Sequence, residues 1–452
     1  MPRPDAAEVV RAANAAGVQL VRFLYVDHSG VTHGKTVHAR YLERKLHEGV
    51  GLTRAQMAID MLQTMHPVAG MEPVGEIRLV PDLRTFTVLP WDTRSASVLC
   101  DQLDHDGTDW GACPRSFLKA AVSRAEAAGI HVEAAFENEF YLAREVDGRR
   151  APFSRAPVYS AIGLDLSAPV MHAIVDGLEA QGIEVEQAIN EYGAGQEEIA
   201  VHHTAALAAA DRQVKFRDTV RGVALQHGLL ASFAPRPFAD EIGRGAHIHF
   251  SLWDRQQTRN LLYDTAAPDR LSAVGRSFIA GVLRHLRALT ALTCPSYNSY
   301  RRLRPHAWSS AYTAWGFDNR EAALRVASPF WGREEASFNL ELKTCDASAN
   351  PYLALGGLIL SGLDGVDQGL EVPLPAEHDP ALMDPAARDV RAIKALPSSM
   401  REALDELERD VLLMAALGPL RSRAYLVVRR GEAAAFEAQD DEFELASHFY
   451  TF

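Results

Sequence analysis

Residues 189–199 read I-N-E-Y-G-A-G-Q-E-E-I and place acidic side chains on both sides of a glycine-rich bend. Gly193 and Gly195 allow backbone angles that a residue with a Cβ resists, so the chain can turn tightly there. Glu191 precedes the bend and Glu198 follows it. Converging carboxylates repel each other unless a cation lies between them. The stretch therefore predicts either a metal site or, as for most glycine-plus-acid stretches, a solvated surface turn.

Three other segments alternate between apolar and polar residues with the period of two that is typical of a half-buried β-strand. They span residues 132–142, 246–253 and 338–343. Their polar faces carry Glu137 and Glu139 on the first segment, His247, His249 and Ser251 on the second, and Asn339, Glu341 and Lys343 on the third. Together with the bend, they predict a sheet whose concave face binds a metal ion. Helices at residues 211–227 and 273–290 are expected to cover the apolar face.

Five of the arginines between the second and the third segment form a cluster in the sequence, at Arg301, Arg302, Arg304, Arg320 and Arg325. They form either a solvated basic loop or a binding site. In a chain with a formal charge of −13, a local group of guanidinium groups near bound metal is what a polyphosphate ligand needs. The sequence has neither G-x-x-x-x-G-K-[ST] nor a strand that leads into G-x-G-x-x-G. Neither a P-loop nor a Rossmann site is therefore expected.

The composition is that of an ordinary soluble globular protein. A chain of 452 residues can form two or three domains with a large core. Its net charge of −13 argues against extended contacts with nucleic acid or with an anionic membrane. The four cysteines lie far apart, at Cys100, Cys113, Cys294 and Cys345, and are expected to be reduced thiols. The N-terminus lacks the apolar run of a signal peptide and no run approaches membrane-spanning length, which predicts a cytoplasmic protein.

The N-terminal part of the chain has a pattern of its own. Residues 6–16 are predicted to form an amphipathic helix, and residues 19–27 a β-strand that begins a hairpin. Residues 91–100 have β character again, and a polar segment follows them. This change in composition predicts a domain boundary near Gly107. The C-terminal part is predicted to be mainly helical, most clearly at residues 398–414.

Six short motifs carry a more specific signal. They are F-E-N-E-F at residues 136–140, E-Y-G-A-G-Q-E-E-I at 191–199, G-A-H-I-H-F-S-L at 245–252, S-Y-R-R-L-R-P at 299–305, N-R-E-A-A-L-R at 319–325 and D-A-S-A-N-P-Y-L at 346–353. With these motifs the chain resembles the glutamine synthetase superfamily of ATP-dependent ligases over nearly its whole length. The resemblance implies an α+β fold with a β-grasp domain at residues 1–107 and a catalytic domain at residues 108–452. It also implies a curved antiparallel sheet that forms a funnel between the subunits of a ring-like homo-oligomer.

The resemblance further implies a role for individual side chains. The family's first metal site corresponds to Glu139, Glu191 and Glu198, and its second to Glu137, His247 and Glu341. Nucleotide contacts correspond to Glu186, His249 and Ser251, phosphate contacts to Arg320 and Arg325, and glutamate contacts to Gly243 and Arg302. Five carboxylates and one imidazole favour Mg²⁺ or Mn²⁺ over a thiol-seeking metal.

The implied reaction has two steps. ATP first phosphorylates the γ-carboxylate of L-glutamate, while two metal ions and arginines such as Arg320 neutralise charge on the transferred phosphoryl group. An amine then displaces phosphate and leaves a γ-glutamyl amide.

The amine side departs from the pattern of true glutamine synthetases. Their glutamate that covers the site, and that helps bind and deprotonate ammonium, corresponds here to Trp308. An aspartate that helps to hold ammonium corresponds to Thr53, although Asp60 lies nearby and is a candidate base. Lys343 stands where the family has an arginine that contacts glutamate, and Ile242 stands where it has an asparagine. The loss of the two acids at Trp308 and Thr53 favours an organic monoamine, alkyl or aromatic, over ammonium.

The sequence leaves two competing functions open. The first is a true glutamine synthetase that uses ammonium through an altered site. The second is a catalytically silent relative that serves as a scaffold. All six residues that correspond to the family's metal ligands are present, which argues against the scaffold.

Overall fold

A computed structural model describes residues 4–452 of the protein. An N-terminal β-sheet forms the first part of the structure. Its strands are β1 (Leu20–Val26), β2 (Thr32–His38), β3 (Val50–Thr53), β4 (Glu76–Pro81), β5 (Thr87–Leu89) and β6 (Asp92–Leu103). They lie in the order β2-β1-β6-β4-β3, with β5 paired to β6. Strand β1 runs parallel to β6 and antiparallel to β2. The predicted helix followed by a hairpin is confirmed, with α1 (Ala6–Ala15) capped by Asp5.

A larger sheet carries the polar strand faces. It contains β7 (Ile130–Val146), β8 (Arg149–Pro152), β9 (Val185–Asn190), β10 (Gln196–Val201), β11 (Thr204–Ala205), β12 (Leu230–Ser232), β13 (Ala246–Asp254), β14 (Trp315–Phe317), β15 (Leu324–Val326) and β16 (Leu340–Leu342). The order is β14-β15-β16-β13-β7-β10-β9, and β8, β11 and β12 pair with β7. All of these pairs are antiparallel except β14 with β15. The long strand β7 therefore lies between the bend of β9 and β10 on one side and β13 on the other.

The described helices complete an α+β fold. They are α2 (Leu42–Glu48), α3 (Pro114–Ala127), α4 (Ala161–Glu179), α5 (Ala206–Gln226), α6 (Ala273–Thr293), α7 (Ser299–Arg302), α8 (Glu334–Ser337), α9 (Pro351–Gln368), α10 (Pro385–Val390), α11 (Met400–Arg409), α12 (Val411–Glu437) and α13 (Asp441–Thr451). The helices predicted at residues 211–227 and 273–290 correspond to α5 and α6.

The domain boundary near Gly107 stays a prediction.

The sheet separates an apolar face from a polar one, as the alternation predicts. Ile248, Phe250 and Leu252 of β13 are buried in the main core, together with residues of α5 and α6. The ring centroids of Phe250 and Phe278 lie 5.5 Å apart, which joins the sheet to α6. Burial of each such side chain contributes about 2 kcal/mol to folding. The core therefore holds β13 in the register that directs its histidines to the opposite face.

The helical structure predicted at residues 398–414 is confirmed, and Asp410 divides it into α11 and α12. Asp410 has an extended conformation (φ −80°, ψ 104°) that ends α11, and its side chain caps α12 by accepting a hydrogen bond from the backbone N–H of Leu413. The second carboxylate oxygen of Asp410 lies 2.6 Å from Nδ1 of His285 on α6. A residue that favours an N-cap, held by a tertiary contact, thus interrupts a pattern that is otherwise helical.

Two helices, α4 and α12, are long and apolar enough to cross a membrane by length and composition alone. Val170, Met171 and Ile174 of α4 pack in a core cluster with residues of β7, however. Leu413 and Leu417 of α12 belong to the main core. The apolar residues of both helices thus contribute to packing inside the protein.

The four cysteines are free and buried, as the sequence predicts. Burial raises the pKa of the Cys100, Cys294 and Cys345 thiols above their usual value. These side chains therefore behave as small apolar residues of the core.

Candidate active site

A cavity of about 1020 Å³ opens on the polar face of the large sheet. Five of the predicted metal ligands line it, namely Glu137, Glu139, Glu191, Glu198 and His247. The sixth, Glu341, is buried on β16 and has a carboxylate oxygen 3.1 Å from Nδ1 of His247. The bend and the three strand faces that the sequence analysis singled out therefore meet in one place.

The second predicted metal group is compact. Nδ1 of His247 lies 2.9 Å from a carboxylate oxygen of Glu137. His249 also faces this group, because Nε2 of its ring lies 3.7 Å from Glu137 and 3.8 Å from Glu341. Potential ligand atoms of Glu137, His249 and Glu341 all lie within 4.8 Å of one another. The structure thus offers two imidazoles where the sequence analysis assigned only His247 to the metal.

The first predicted group is formed by neighbouring strands. Glu139 of β7 lies opposite Glu198 of β10 in the antiparallel register. The bend before β10 is closed by a hydrogen bond of 2.8 Å from the N–H of Glu191 to the carbonyl of Gln196. A Cβ at Gly193 would lie 2.0 Å from the hydroxyl of Tyr141, so the tight bend requires glycine there. This local geometry directs Glu191 and Glu198 into the same cavity.

The carboxylates of this cluster perturb one another. Burial, followed by the charges of Glu137 and Glu139, raises the pKa of Glu198 above its usual value. Burial and the charge of Glu139 also raise the pKa of Glu191. Burial alone would raise the pKa of Glu137 too, but hydrogen bonds from His247 and His249 lower it instead. Two buried acids that resist ionisation, Glu191 and Glu198, lie beside further oxygen and imidazole donors, and this donor set fits a divalent cation such as Mg²⁺ or Mn²⁺.

Basic side chains lie on the other side of the cavity. Arg302 is buried, and its Nη2 donates a hydrogen bond of 2.9 Å to the carbonyl of Lys343. Nζ of Lys343 lies 3.3 Å from a carboxylate oxygen of Glu341. A Cβ at Gly243 would lie 2.9 Å from the side chain of Arg302, so glycine permits this close approach. Arg320 lines the cavity as well.

Arg325 lies outside the lining of the cavity but contacts one of the predicted metal ligands. Its Nε donates a hydrogen bond to Glu341, and its backbone pairs with the same glutamate between β15 and β16. Arg325 is therefore linked to the second predicted metal group through Glu341.

Glu186 and Ser251, both predicted to contact nucleotide, lie outside the lining of this cavity. Glu186 is exposed on β9 and pairs with His202. The hydroxyl of Ser251 accepts a hydrogen bond of 2.9 Å from the indole of Trp253. Ser251 lies opposite Glu133 in the register of β13 and β7. The structure thus places these two side chains on strands of the same sheet but outside the cavity.

Asp60, the candidate base, also lies away from the cavity of its own chain. Its side chain is 1% exposed. One carboxylate oxygen accepts hydrogen bonds from the N–H groups of Leu62 and Thr64, at 2.9 and 2.8 Å. The other oxygen lies 2.8 Å from Nε2 of His66. Both oxygens are thus occupied in holding a loop, an arrangement that fits a structural role better than that of a base.

Trp308 lines the cavity and belongs to a row of three aromatic rings. Its ring centroid lies 5.3 Å from that of Tyr192, which lies 6.0 Å from that of Tyr159, and both contacts are edge-to-face. The hydroxyl of Tyr159 donates a hydrogen bond of 3.2 Å to Glu191. We call Tyr159, Tyr192 and Trp308 the aromatic wall. It places an apolar surface directly beside the first predicted metal group.

Two residues of this wall, Tyr159 and Tyr192, were not predicted from the sequence. Tyr192 lies inside the glycine-rich bend, so its position next to Glu191 was a usable signal. Tyr159 precedes α4 and gives no periodic signal. Its positive φ of 54° is unusual for a tyrosine and can be seen only in the structure.

Comparisons with known proteins agree with this geometry. A family model described as the catalytic domain of glutamine synthetase matches residues 111–448. A second model, for the glutamine synthetase N-terminal domain, matches residues 4–110.

Curated relatives and solved structures cover nearly the whole chain. Gamma-glutamylpolyamine synthetase GlnA3 of Streptomyces coelicolor is 38% identical over 439 residues, which is 96% of this chain and 93% of that protein. Glutamine synthetase of Halobacterium salinarum is 33% identical over 439 residues, or 95% of this chain and 93% of that protein. A crystal structure of a novel glutamine synthase homolog superimposes with a TM-score of 0.86 at 33% identity and covers 96% of this chain and 99% of its own. A GmaS/ADP complex gives a TM-score of 0.84 at 27% identity, with coverages of 97% and 98%.

Proposed function

Because the chain belongs to the glutamine synthetase family of ATP-dependent carbon–nitrogen ligases, we propose that it joins the γ-carboxylate of L-glutamate to an organic monoamine. The observation that carries this proposal is the aromatic wall, which lines the cavity beside Glu191. The product is a γ-glutamylamide, and we propose that the enzyme acts in the cytoplasm.

The aromatic wall suits an amine that carries a hydrocarbon or aromatic group. Ammonium is a small, strongly hydrated cation that needs carboxylates to replace its water. Trp308 offers instead a flat apolar surface that is 49% exposed towards the cavity and solvent. An apolar group that covers about 50 Å² of this surface would gain roughly 1.3 kcal/mol at 25 cal/mol per Å². That difference corresponds to about tenfold in affinity over ammonium.

The side chains around the cavity suggest how the chain handles glutamate and ATP. We assign glutamate binding to Gly243, Arg302 and Lys343, which lie together on the basic side. Arg320 and Arg325 would neutralise charge on the transferred phosphoryl group, and Glu186, His249 and Ser251 would contact the nucleotide. Two or more Mg²⁺ or Mn²⁺ ions, held by Glu137, Glu139, Glu191, Glu198, His247 and Glu341, would supply further charge neutralisation.

A polyamine is a second candidate substrate. The relative from Streptomyces coelicolor is named a gamma-glutamylpolyamine synthetase. A polyamine carries a second cationic group, which requires an acid at a distance from the reacting nitrogen. Asp240 and Glu241 also line this cavity, and they offer such acids. Ammonium as the amine, and a silent scaffold of the same fold, are the remaining candidates.

We expect glutamate-dependent release of phosphate from ATP to depend on an amine. In a panel of ethylamine, benzylamine, aniline, spermidine and ammonium, kcat/KM should be at least about tenfold higher for a monoamine with an apolar group than for ammonium, because only the former buries surface on the aromatic wall. Detection of the γ-glutamylamide by mass spectrometry completes the measurement. If ammonium is the best substrate, the protein is a glutamine synthetase. Spermidine as the best substrate would favour a polyamine ligase, and the absence of phosphate release with every amine would favour the scaffold.

We also expect a ring-like homo-oligomer with active sites between subunits. By resemblance, the N-terminal domain closes the funnel of the adjacent subunit. In the single chain, Ile162, Leu164 and Leu166 at the start of α4 are exposed large apolar residues, and Leu164 lines the cavity. Light scattering after size exclusion should therefore give several times the chain mass of 49.5 kDa, with specific activity lost on dissociation. A monomer with full specific activity would contradict this prediction.

A further inference from the structure

The loop that carries Trp308 is held in a strained conformation. We define the Trp308 loop as residues 303–310, between α7 and β14. Three of its residues, His306, Trp308 and Ser310, have positive φ angles of 61°, 53° and 62°. Residues with a Cβ pay a conformational penalty there, so such a loop keeps its shape only if surrounding contacts fix it.

Two side chains from outside the loop and one from within it supply those contacts. A carboxylate oxygen of Glu321 accepts a hydrogen bond of 2.9 Å from the backbone N–H of Trp308 itself. A carboxylate oxygen of Asp379 lies 2.7 Å from Nδ1 of His306. At the other end of the loop, the hydroxyl of Ser309 donates to the carbonyl of Arg302 at 2.8 Å. Glu321 is thus the anchor that acts directly on the residue of the aromatic wall.

The segment that presents Glu321 is itself fixed. The backbone N–H of Glu321 donates to the side chain of Asn319 at 3.0 Å. The side-chain amide of Asn319 donates to the carbonyls of Ala376 and His378 at 2.8 and 3.0 Å. Glu321 also directly follows Arg320, which lines the cavity. A side chain that must hold a loop through one hydrogen bond is most effective on such a rigid support.

We propose that Glu321 is a positioning residue that sets the amine preference of the enzyme by holding Trp308 at the cavity. Glu321 lies outside the cavity lining, and it acts through Trp308 without touching substrate. What matters is an acceptor oxygen at the right distance, whereas the negative charge is dispensable. This inference rests on the proposed function, because it assumes that Trp308 contacts an organic amine.

Three variants distinguish the effect of the position of the acceptor oxygen at residue 321 from the effect of its negative charge. Glu321→Gln keeps a carbonyl oxygen at the same distance and removes the charge, Glu321→Asp keeps the charge and shortens the side chain, and Glu321→Ala removes both. We expect Glu321→Ala and Glu321→Asp to raise KM for the organic amine about tenfold, as expected from loss of one hydrogen bond. KM for ATP and glutamate should change less than about twofold, and Glu321→Gln should resemble the unmodified enzyme.

Asp318 provides a matched control. It also accepts a hydrogen bond of 2.9 Å from a backbone N–H, that of Ser328, but it does not contact the Trp308 loop. Asp318→Ala should leave KM for the amine unchanged. The proposal is wrong if Asp318→Ala raises KM for the amine as much as Glu321→Ala does. It is also wrong if Glu321→Asp has the KM of the unmodified enzyme while Glu321→Gln does not.

A spectroscopic measurement tests the inference independently of the reaction. Trp308 is one of six tryptophans, so its emission is obtained by subtracting the spectrum of Trp308→Phe. Release of the loop should increase acrylamide quenching of that component about twofold in Glu321→Ala and leave it unchanged in Glu321→Gln. If the unmodified enzyme uses no organic amine but quenching changes in this way, the proposed substrate fails while the anchoring stands. Unchanged quenching in Glu321→Ala overturns the anchoring itself.

Discussion

Replacement of Glu198 by alanine is expected to lower kcat/KM by at least about 1,000-fold, or about 4 kcal/mol of transition-state stabilisation. Glu198 lies opposite Glu139 across β10 and β7, and its carboxylate lines the cavity with Glu191. Removal of one carboxylate from a group of three leaves too few ligands to hold a divalent ion. Glu191→Ala should have the same effect. Steady-state phosphate release at saturating Mg²⁺ or Mn²⁺ measures both.

The neighbouring Glu197 offers a matched control. It is buried on the opposite face of the same strand, where burial raises its pKa to about 8. A carboxyl group with that pKa is mostly protonated at pH 7, so Glu197→Gln replaces it by a group of similar shape and charge. This variant should keep nearly full activity. If Glu197→Gln loses as much activity as Glu198→Ala, disruption of β10 would explain both results and the metal assignment would lose its support.

Metal removal gives a second readout that does not depend on turnover. Without a cation, burial and the charges of Glu137, Glu139, Glu191 and Glu341 oppose ionisation of Glu198. Glu198→Gln places an uncharged amide there, so in chelator it should melt at a temperature at least as high as the unmodified protein does. Addition of Mg²⁺ or Mn²⁺ should stabilise the unmodified protein more than the variant. Equal stabilisation of the two proteins, or turnover that resists chelator, would contradict the assignment.

The part of the site that the sequence predicts is the part determined by local geometry. A strand places every second residue on one face, so the alternation in residues 132–142 and 246–253 was enough to bring Glu137 and His247 to the same side of a sheet. The bend with Gly193 and Gly195 similarly predicted the approach of Glu191 and Glu198. Long-range pairing then joined these elements in antiparallel register.

Features that depend on distant segments could not be read from the sequence. Tyr159, Tyr192 and Trp308 are separated by up to 149 residues, yet their rings are in contact. The carboxylate of Asp60 was a candidate base because of its place in the chain, but its hydrogen bonds within residues 60–66 are visible only in three dimensions. The contact between Glu321 and the N–H of Trp308 has no sequence signature, because it depends on the shape of a strained loop.

The substitution Trp308→Glu is expected to reverse the amine preference. We expect the ratio of kcat/KM for an apolar monoamine to that for ammonium to fall at least about 100-fold, or about 2.7 kcal/mol. Two effects act in the same direction. The variant loses the flat apolar surface, and it gains a carboxylate in the loop beside Tyr192, where a cation can be bound and deprotonated.

The backbone at residue 308 should tolerate this change. The anchor to Glu321 uses the backbone N–H of Trp308, so it does not depend on the side chain. Trp308→Phe serves as the matched control, because it keeps an aromatic ring and no charge. That variant should retain the preference for the organic amine within about fivefold, since a smaller ring buries somewhat less surface. The ratio is measured by phosphate release with each amine in turn.

An unchanged amine preference in Trp308→Glu would mean that the amine binds at a different part of the cavity. If Trp308→Glu keeps the preference for an organic amine, Trp308 does not contact the amine, and the selective surface must lie elsewhere in the cavity. Tyr159 is the next candidate, because its hydroxyl donates to Glu191 and its ring lies beside Tyr192. Tyr159→Phe would then keep the apolar ring and remove only the hydrogen bond, whereas Tyr159→Ala would remove both. A loss of preference in the alanine variant alone would assign the amine group to that end of the aromatic wall.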